Sequence, residues 1–226
     1  MEFKKFYRLI IKNFKYTIQK LLLSQTMILL FMFFIAYSNN MGRMEFLEYL
    51  FMMKYKAPIF IGLYTAFISV ILVIFFSYVE VIDITNLKEF ALRVNDNRKT
   101  KKVLCFSIIV SITFYIFFIF ILSIILSFLL RYEALQYTKL FISQLLYTVF
   151  FISIVLCYYL THVHELNKNI AYITFLFLHL NNVFSLIPWI SIPKLVLDFG
   201  FSSCITAITI YVVSCALMYI FSLKNE

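Results

Sequence analysis

The side chains that most invite chemistry lie in the segment THVHELNKN, where His162, His164 and Glu165 fall within four residues. Two histidines at i and i+2 on one short loop give the wrong geometry for a closed tetrahedral zinc site unless other elements contribute. A solvated interface loop accounts for them without a metal. His179 stands deep in an aromatic stretch, where a lone histidine serves either as a hydrogen-bonded packing residue or as a ligand or proton carrier. Glu80 and Asp198 sit at the ends of apolar runs and read as interfacial. No HExxH, no GxSxG, no paired carboxylates and no GxxxxGK[ST] phosphate loop occur. The sequence therefore offers no catalytic set, no metal set and no cofactor motif, and the chain cannot hydrolyse ATP by the phosphate-loop route. Cys105, Cys157, Cys204 and Cys215 all fall in apolar runs without CxxC spacing and read as small hydrophobes.

The elements that would carry these residues follow from composition. The chain has 226 residues, 63% hydrophobic and 14% charged, with a mean hydropathy of +0.94. A soluble domain carries about 25% charged residues, so the composition predicts an integral membrane protein. The net charge of +9 has too little polar surface beneath it to form a nucleic-acid stripe. It reads instead as topology signal and attraction to anionic lipid. Gly and Pro occur three times each, which favours long unbroken helices.

Six apolar runs are long enough to cross a bilayer, each needing about 20 residues: roughly 21–37, 59–81, 103–130, 140–160, 170–187 and 201–222. The third, about 42 Å long as a helix, exceeds a hydrocarbon core of about 30 Å and must tilt or project. The expected fold class is all-α: one polytopic transmembrane domain of six helices. Counting Lys and Arg in alternate loops gives fourteen on the side of both termini against six opposite, which places the termini in the cytoplasm. Ala36-Tyr37-Ser38 is a passable cleavage site, but the basic region before the first run is too long for a signal peptide.

Residues 3–20 carry Phe3, Phe6, Tyr7, Ile10, Phe14 and Ile18 at helical spacing, with Lys4, Arg8, Lys12, Lys15 and Gln19 opposite. This pattern predicts an amphipathic helix lying in the membrane interface and entering the bilayer through an elbow near Lys20. A plain positive-inside anchor explains the lysines equally. The loop 82–102 begins at a helix cap, Thr85 or Asn86, runs through Leu87, Lys88, Glu89, Phe90, Ala91, Leu92 and Arg93, and breaks at Asn95-Asp96-Asn97 before a basic stretch. Its short apolar face either docks on a partner or tucks against the protein's own helices. Asn181, Asn182, Pro188, Trp189 and Pro193 make the fifth run end in an interrupted hairpin reaching Gly200. Amides at that depth must face protein or a water-filled cavity.

Taken together, the amphipathic N-terminal helix, six spans, basic loop and interrupted hairpin resemble the permease subunit of a bacterial ABC exporter of the type-2 class. This is the small six-span kind found in peptide, bacteriocin and drug export. The resemblance covers the whole chain and rests on architecture. It implies that Leu87, Lys88, Glu89, Phe90, Leu92, Arg93 and, in the turn that follows, Arg98 form the coupling helix that meets an ATP-binding cassette ATPase subunit. It further implies a second permease subunit, identical or a sister, a lipid environment, no nucleic acid, and His179, Asn181 and Asn182 in the pathway or hairpin. The implied cargo is a peptide or other amphipathic compound. Scarce Gly and a short outer hairpin depart from the pattern. The alternative is a non-transporting immunity or accessory protein that binds a toxin or secretion partner.

Overall fold

The computed structural model describes residues 2–52, 61, 62, 65, 69, 97–162, 167–184, 186–198 and 202–224. These form seven helices: α1 (Glu2–Ser38), α2 (Arg43–Met52), α3 (Asn97–Ser127), α4 (Tyr137–His162), α5 (Asn167–Phe184), α6 (Ile192–Asp198) and α7 (Ser202–Lys224). Among the described residues there is no strand, only one isolated bridge between Gly42 and Arg131. The all-α expectation holds. Within α3 and α4, Ile108–Ser127 and Tyr137–Leu156 are long and apolar enough to cross a membrane; shorter apolar stretches occupy Leu22–Ser38, Ile173–Phe184 and Cys204–Ile220.

Two boundaries differ from the sequence reading. α1 runs for 37 residues without a break, about 55 Å at 1.5 Å per residue, so the elbow near Lys20 is absent. No Gly or Pro interrupts residues 2–38, and Leu21, Leu22 and Leu23 carry the helix through the junction. Residues 3–20 and the first apolar run therefore belong to one continuous helix rather than two. Arg8, Lys15, Gln19 and Lys20 along it are exposed. The second difference is that α3 starts at Asn97. Arg98, Lys99, Lys101 and Lys102 are therefore helical, where the sequence suggested a turn and loop. The coupling segment up to Arg93, and most of the 59–81 run, lie outside the described residues.

The end of α1 shows why the chain turns there. Met41 N–H donates to Ala36 O (3.0 Å) and Asn40 N–H to Tyr37 O (3.1 Å). Asn40 itself takes a left-handed conformation with φ 54°. These are the paired 6→1 and 5→2 bonds of a Schellman termination, with Asn rather than Gly at the left-handed position. Met41, the next residue, is buried and starts the chain back into the bundle.

α4 is the central helix. It packs against α7, α5, α3, α6 and α2, and residues 142–148 are buried without interruption. α3 and α7 are joined by a hydrogen bond between the Thr113 and Tyr211 hydroxyls, 2.8 Å apart. The core is mostly apolar, and so is much of the surface around it. Gln25, Ser111, Ser123, Ser143, Gln144 and Thr148 are buried, while Phe31 and Phe34 on α1, Phe114 and Ile121 on α3, Ile173 and Leu176 on α5, and Ile205 and Val212 on α7 point outward.

Candidate functional site

Residues flagged by chemistry do not converge. Leu87, Lys88, Glu89, Phe90, Leu92 and Arg93 lie outside the described residues, and Arg98 occupies the first turn of α3. His162 ends α4, whereas His164 and Glu165 lie outside the described residues. Among the described residues no group of three His, Cys, Asp or Glu is placed to hold a metal ion.

His179, Asn181 and Asn182 do come together, at the end of α5. Phe175, His179 and Asn182 follow at i, i+4 and i+7 and share its buried face. The His179 ring stacks on Phe175, with centroids 5.6 Å apart and planes 21° apart. Its Nε2 lies 2.8 Å from Thr65 Oγ1. The Thr65 hydroxyl donates to Ile61 O at 2.7 Å. A hydroxyl has one proton, so Thr65 accepts from His179 and Nε2 carries the hydrogen. That fixes the tautomer by bookkeeping and links α5 to the helical segment containing Thr65.

The two asparagines hold the chain that follows. Asn181 Oδ1 accepts from Ile187 N–H (2.6 Å) and Asn181 Nδ2 donates to Ile187 O (3.1 Å). Its side chain thus satisfies both backbone groups of a residue just beyond the end of α5. Asn182 Oδ1 accepts from Ile192 N–H at 3.0 Å, satisfying a donor that the first turn of α6 leaves open. Both amides are buried in protein. Pro188 and Trp189 form the tip, with Trp189 81% exposed. Tyr37 near the end of α1, Tyr132 in the α3–α4 connection and Tyr137 at the start of α4 are also exposed.

From His179 a string of rings crosses the interior. Phe175 meets Phe150 at 6.4 Å, Phe150 meets Tyr147 at 6.4 Å, Tyr147 meets Phe51 at 6.3 Å, and Phe51 meets Phe120 at 5.5 Å. Four helices, α5, α4, α2 and α3, are thereby in ring contact. The interior is apolar and aromatic with amides and hydroxyls set into it. Gln144 is fully buried, and neither end of its amide has a hydrogen-bond partner among the described residues. Such a group carries an energetic cost of roughly 1–3 kcal/mol.

The helix α2 is a feature sequence reasoning missed. Ten residues span only about 15 Å, half of a hydrocarbon core, yet Phe46, Leu47, Tyr49, Leu50 and Phe51 are all buried. Burial pushes the Tyr49 phenol well above its ordinary range. The N-terminus is capped in two pieces. Glu45 Oε2 accepts from Gly42 N–H at 3.2 Å, the reach-back half of a capping box, whose other half a Gly cannot supply. Glu133, from the α3–α4 connection, fills it instead, accepting from Met44 N–H at 3.1 Å. Arg43 N–H donates to Arg131 O (3.2 Å) and Arg43 Nη2 to Phe128 O (3.2 Å). The Arg43 guanidinium lies over the Phe128 and Tyr132 rings, 4.7 and 5.0 Å from their centroids. At the other end Ser143 Oγ donates to Phe51 O at 3.0 Å. The available signal was the Gly42-to-Glu45 spacing before an apolar run of re-entrant length.

Comparison with family models, curated proteins and solved structures finds no match to this chain.

Proposed function

We propose that the chain is a multi-pass membrane protein of six spans with both termini in the cytoplasm, serving as the permease subunit of an ABC exporter of the type-2 class. The observation that carries the membrane part is the apolar surface: Phe, Leu, Ile and Val are exposed on α1, α3, α5 and α7, around a core that is itself mostly apolar with amides and hydroxyls set into it. Lipid tails accept such a surface and water does not. The count of fourteen basic residues against six supports the orientation.

The transport part is supported by what the interior holds and lacks. Intramembrane ion coupling uses paired or clustered ionisable side chains. The buried polar side chains of the described core are amides, hydroxyls and one histidine. No phosphate loop is present in the sequence. Energy for uphill movement therefore comes from a separate ATPase, reached through Leu87, Lys88, Glu89, Phe90, Leu92 and Arg93, with Arg98 at the start of α3. Two such permease subunits form the pathway between them, and an aromatic, charge-poor lining suits a peptide or other amphipathic cargo.

The test is co-expression with an ATP-binding cassette protein encoded beside this chain, followed by purification of a stoichiometric complex. Phe90→Asp with Arg93→Glu should abolish that complex while leaving the chain in the membrane. A chain that purifies alone and tolerates both changes would favour the immunity or accessory reading instead.

A further inference from the structure

The connection between α5 and α6 presents an apolar surface on a backbone that is already satisfied. Phe184, Leu186, Trp189 and Ile190 are all exposed there, and a contiguous apolar patch of this kind marks a surface that meets something other than water. Its main chain agrees. Ile187 N–H donates to Asn181 Oδ1, Ile190 N–H to Ile187 O at 3.2 Å, Ser191 N–H to Pro188 O at 3.3 Å, and Ile192 N–H to Asn182 Oδ1. Pro188 and Pro193 have no N–H to satisfy. Among the described residues, the Trp189 N–H at the tip is the one main-chain donor between Ile187 and Pro193 left without a bond. A loop in water has no need of such closure, whereas backbone in contact with lipid must find its partners within the protein.

Position and charge identify what covers this patch. Ile173, Leu176, Leu180 and Phe184 follow at spacings of three and four along one side of α5 and are exposed, and the stripe runs on into Leu186 and Trp189 with no charged residue between. α5 has 18 residues, about 27 Å as a helix, slightly less than a hydrocarbon core of about 30 Å. With Lys168 in its first turn at one boundary of the core, its other end at Phe184 comes just short of the opposite boundary. That puts the connection in the layer of glycerol and headgroups, where Trp rings concentrate. Asp and Glu are absent from residues 166–197, while Lys194, in the first turn of α6, is exposed. A single ammonium beside an apolar edge complements a lipid phosphate above its acyl chains.

We propose that the connection 186–194 is a phospholipid-binding surface, with Leu186, Trp189 and Ile190 set against the glycerol end of the acyl chains and Lys194 against the phosphate. It rests on the membrane reading above and is independent of transport. The side-chain bonds of Asn181 and Asn182 hold the surface in shape, so the end of α5 is fixed at one depth in the leaflet.

The experiment is fluorescence of Trp189, the single Trp of the chain, in nanodiscs of phosphatidylcholine brominated either near the glycerol or near the methyl end of its acyl chains. Emission should be blue-shifted from that of free tryptophan, weakly quenched by acrylamide, and lost more completely to bromine near the glycerol than to bromine near the methyl end. Lys194→Glu, at an exposed position, sets a carboxylate against the phosphate; it should shift quenching from bromine to acrylamide, while Lys194→Arg leaves both as they are. Strong acrylamide quenching without bromine quenching places the tip in water and overturns the proposal. Resistance to both quenchers overturns it too, because a second copy or another protein then covers the ring. Quenching strongest from the methyl end puts the tip too deep for Lys194 to meet a phosphate, and an unchanged profile for Lys194→Glu removes that contact; either result overturns the assignment. Retention of the chain in membranes washed with alkaline carbonate is read separately. Retention with Trp189 in water removes the lipid contact and keeps the membrane reading, whereas release removes both.

Discussion

Replacing Asn181 by Ala should release the hairpin between α5 and α6 while sparing the rest of the bundle. The wild-type side chain satisfies both the N–H and the C=O of Ile187, at 2.6 and 3.1 Å, in a setting where the amide is fully buried. Truncation leaves two backbone groups without partners, each costing about 1–3 kcal/mol when buried. Taking about 3 kcal/mol for the pair allows for partial relaxation at the half-buried Ile187. At about 1.4 kcal/mol per decade, local opening of the loop becomes roughly a hundredfold more frequent. The chain contains one Trp, Trp189, at the tip of this loop, so its fluorescence anisotropy reports the loop and nothing else. Asn181→Ala should lower that anisotropy and speed exchange at Ile187 by about two orders of magnitude. Asn182→Ala should do less at Ile187, since Asn182 bonds Ile192 N–H and its own Nδ2 has no partner among the described residues. If Asn181→Ala leaves both readouts unchanged, the side-chain bridge does not hold the hairpin and the assignment of these amides fails.

Other outcomes follow from the same bonds. His179→Phe keeps the stack on Phe175 and leaves the Thr65 hydroxyl still bonded to Ile61 O, so it should cost at most about 1 kcal/mol; Thr65→Val strands His179 Nε2–H and should cost about 1–3 kcal/mol. The comparison is read as two melting temperatures, at about 2–4 °C per kcal/mol for a chain of this size, and equal losses would contradict the tautomer assigned. Ser143→Ala removes a buried side-chain bond to Phe51 O and should lower the melting temperature by a few degrees on the same scale. Gln144→Leu replaces a buried, unpartnered amide with an apolar side chain of similar volume. It should raise the melting temperature; a lowered one would contradict the cost assigned to the unpartnered amide.

The fold was legible where the signal was length and hydropathy. The runs 140–160, 170–187 and 201–222 coincide within a few residues with α4, α5 and α7, because a long apolar stretch without Gly or Pro satisfies its own backbone groups as a helix. Less legible was the entry of residues 3–20 into the same helix as the first apolar run. Periodicity shows an amphipathic face but says nothing about whether the axis bends, and with no Gly or Pro at the junction the backbone has no reason to. α2 escaped detection because its ten residues neither span nor alternate, and one of its N-terminal caps comes from Glu133, a residue far away in sequence. For the asparagines, sequence showed that they must face protein or a water-filled cavity; that they face protein, and which backbone groups they hold, depends on the turn at Pro188, a tertiary fact.

The most direct test of the account is ATP hydrolysis in nanodiscs by an ATP-binding cassette protein encoded beside this chain, measured with and without the chain. The account predicts that hydrolysis depends on the presence of this chain and falls to the level of the isolated ATPase with Phe90→Asp and Arg93→Glu. Hydrolysis identical with and without this chain would contradict it.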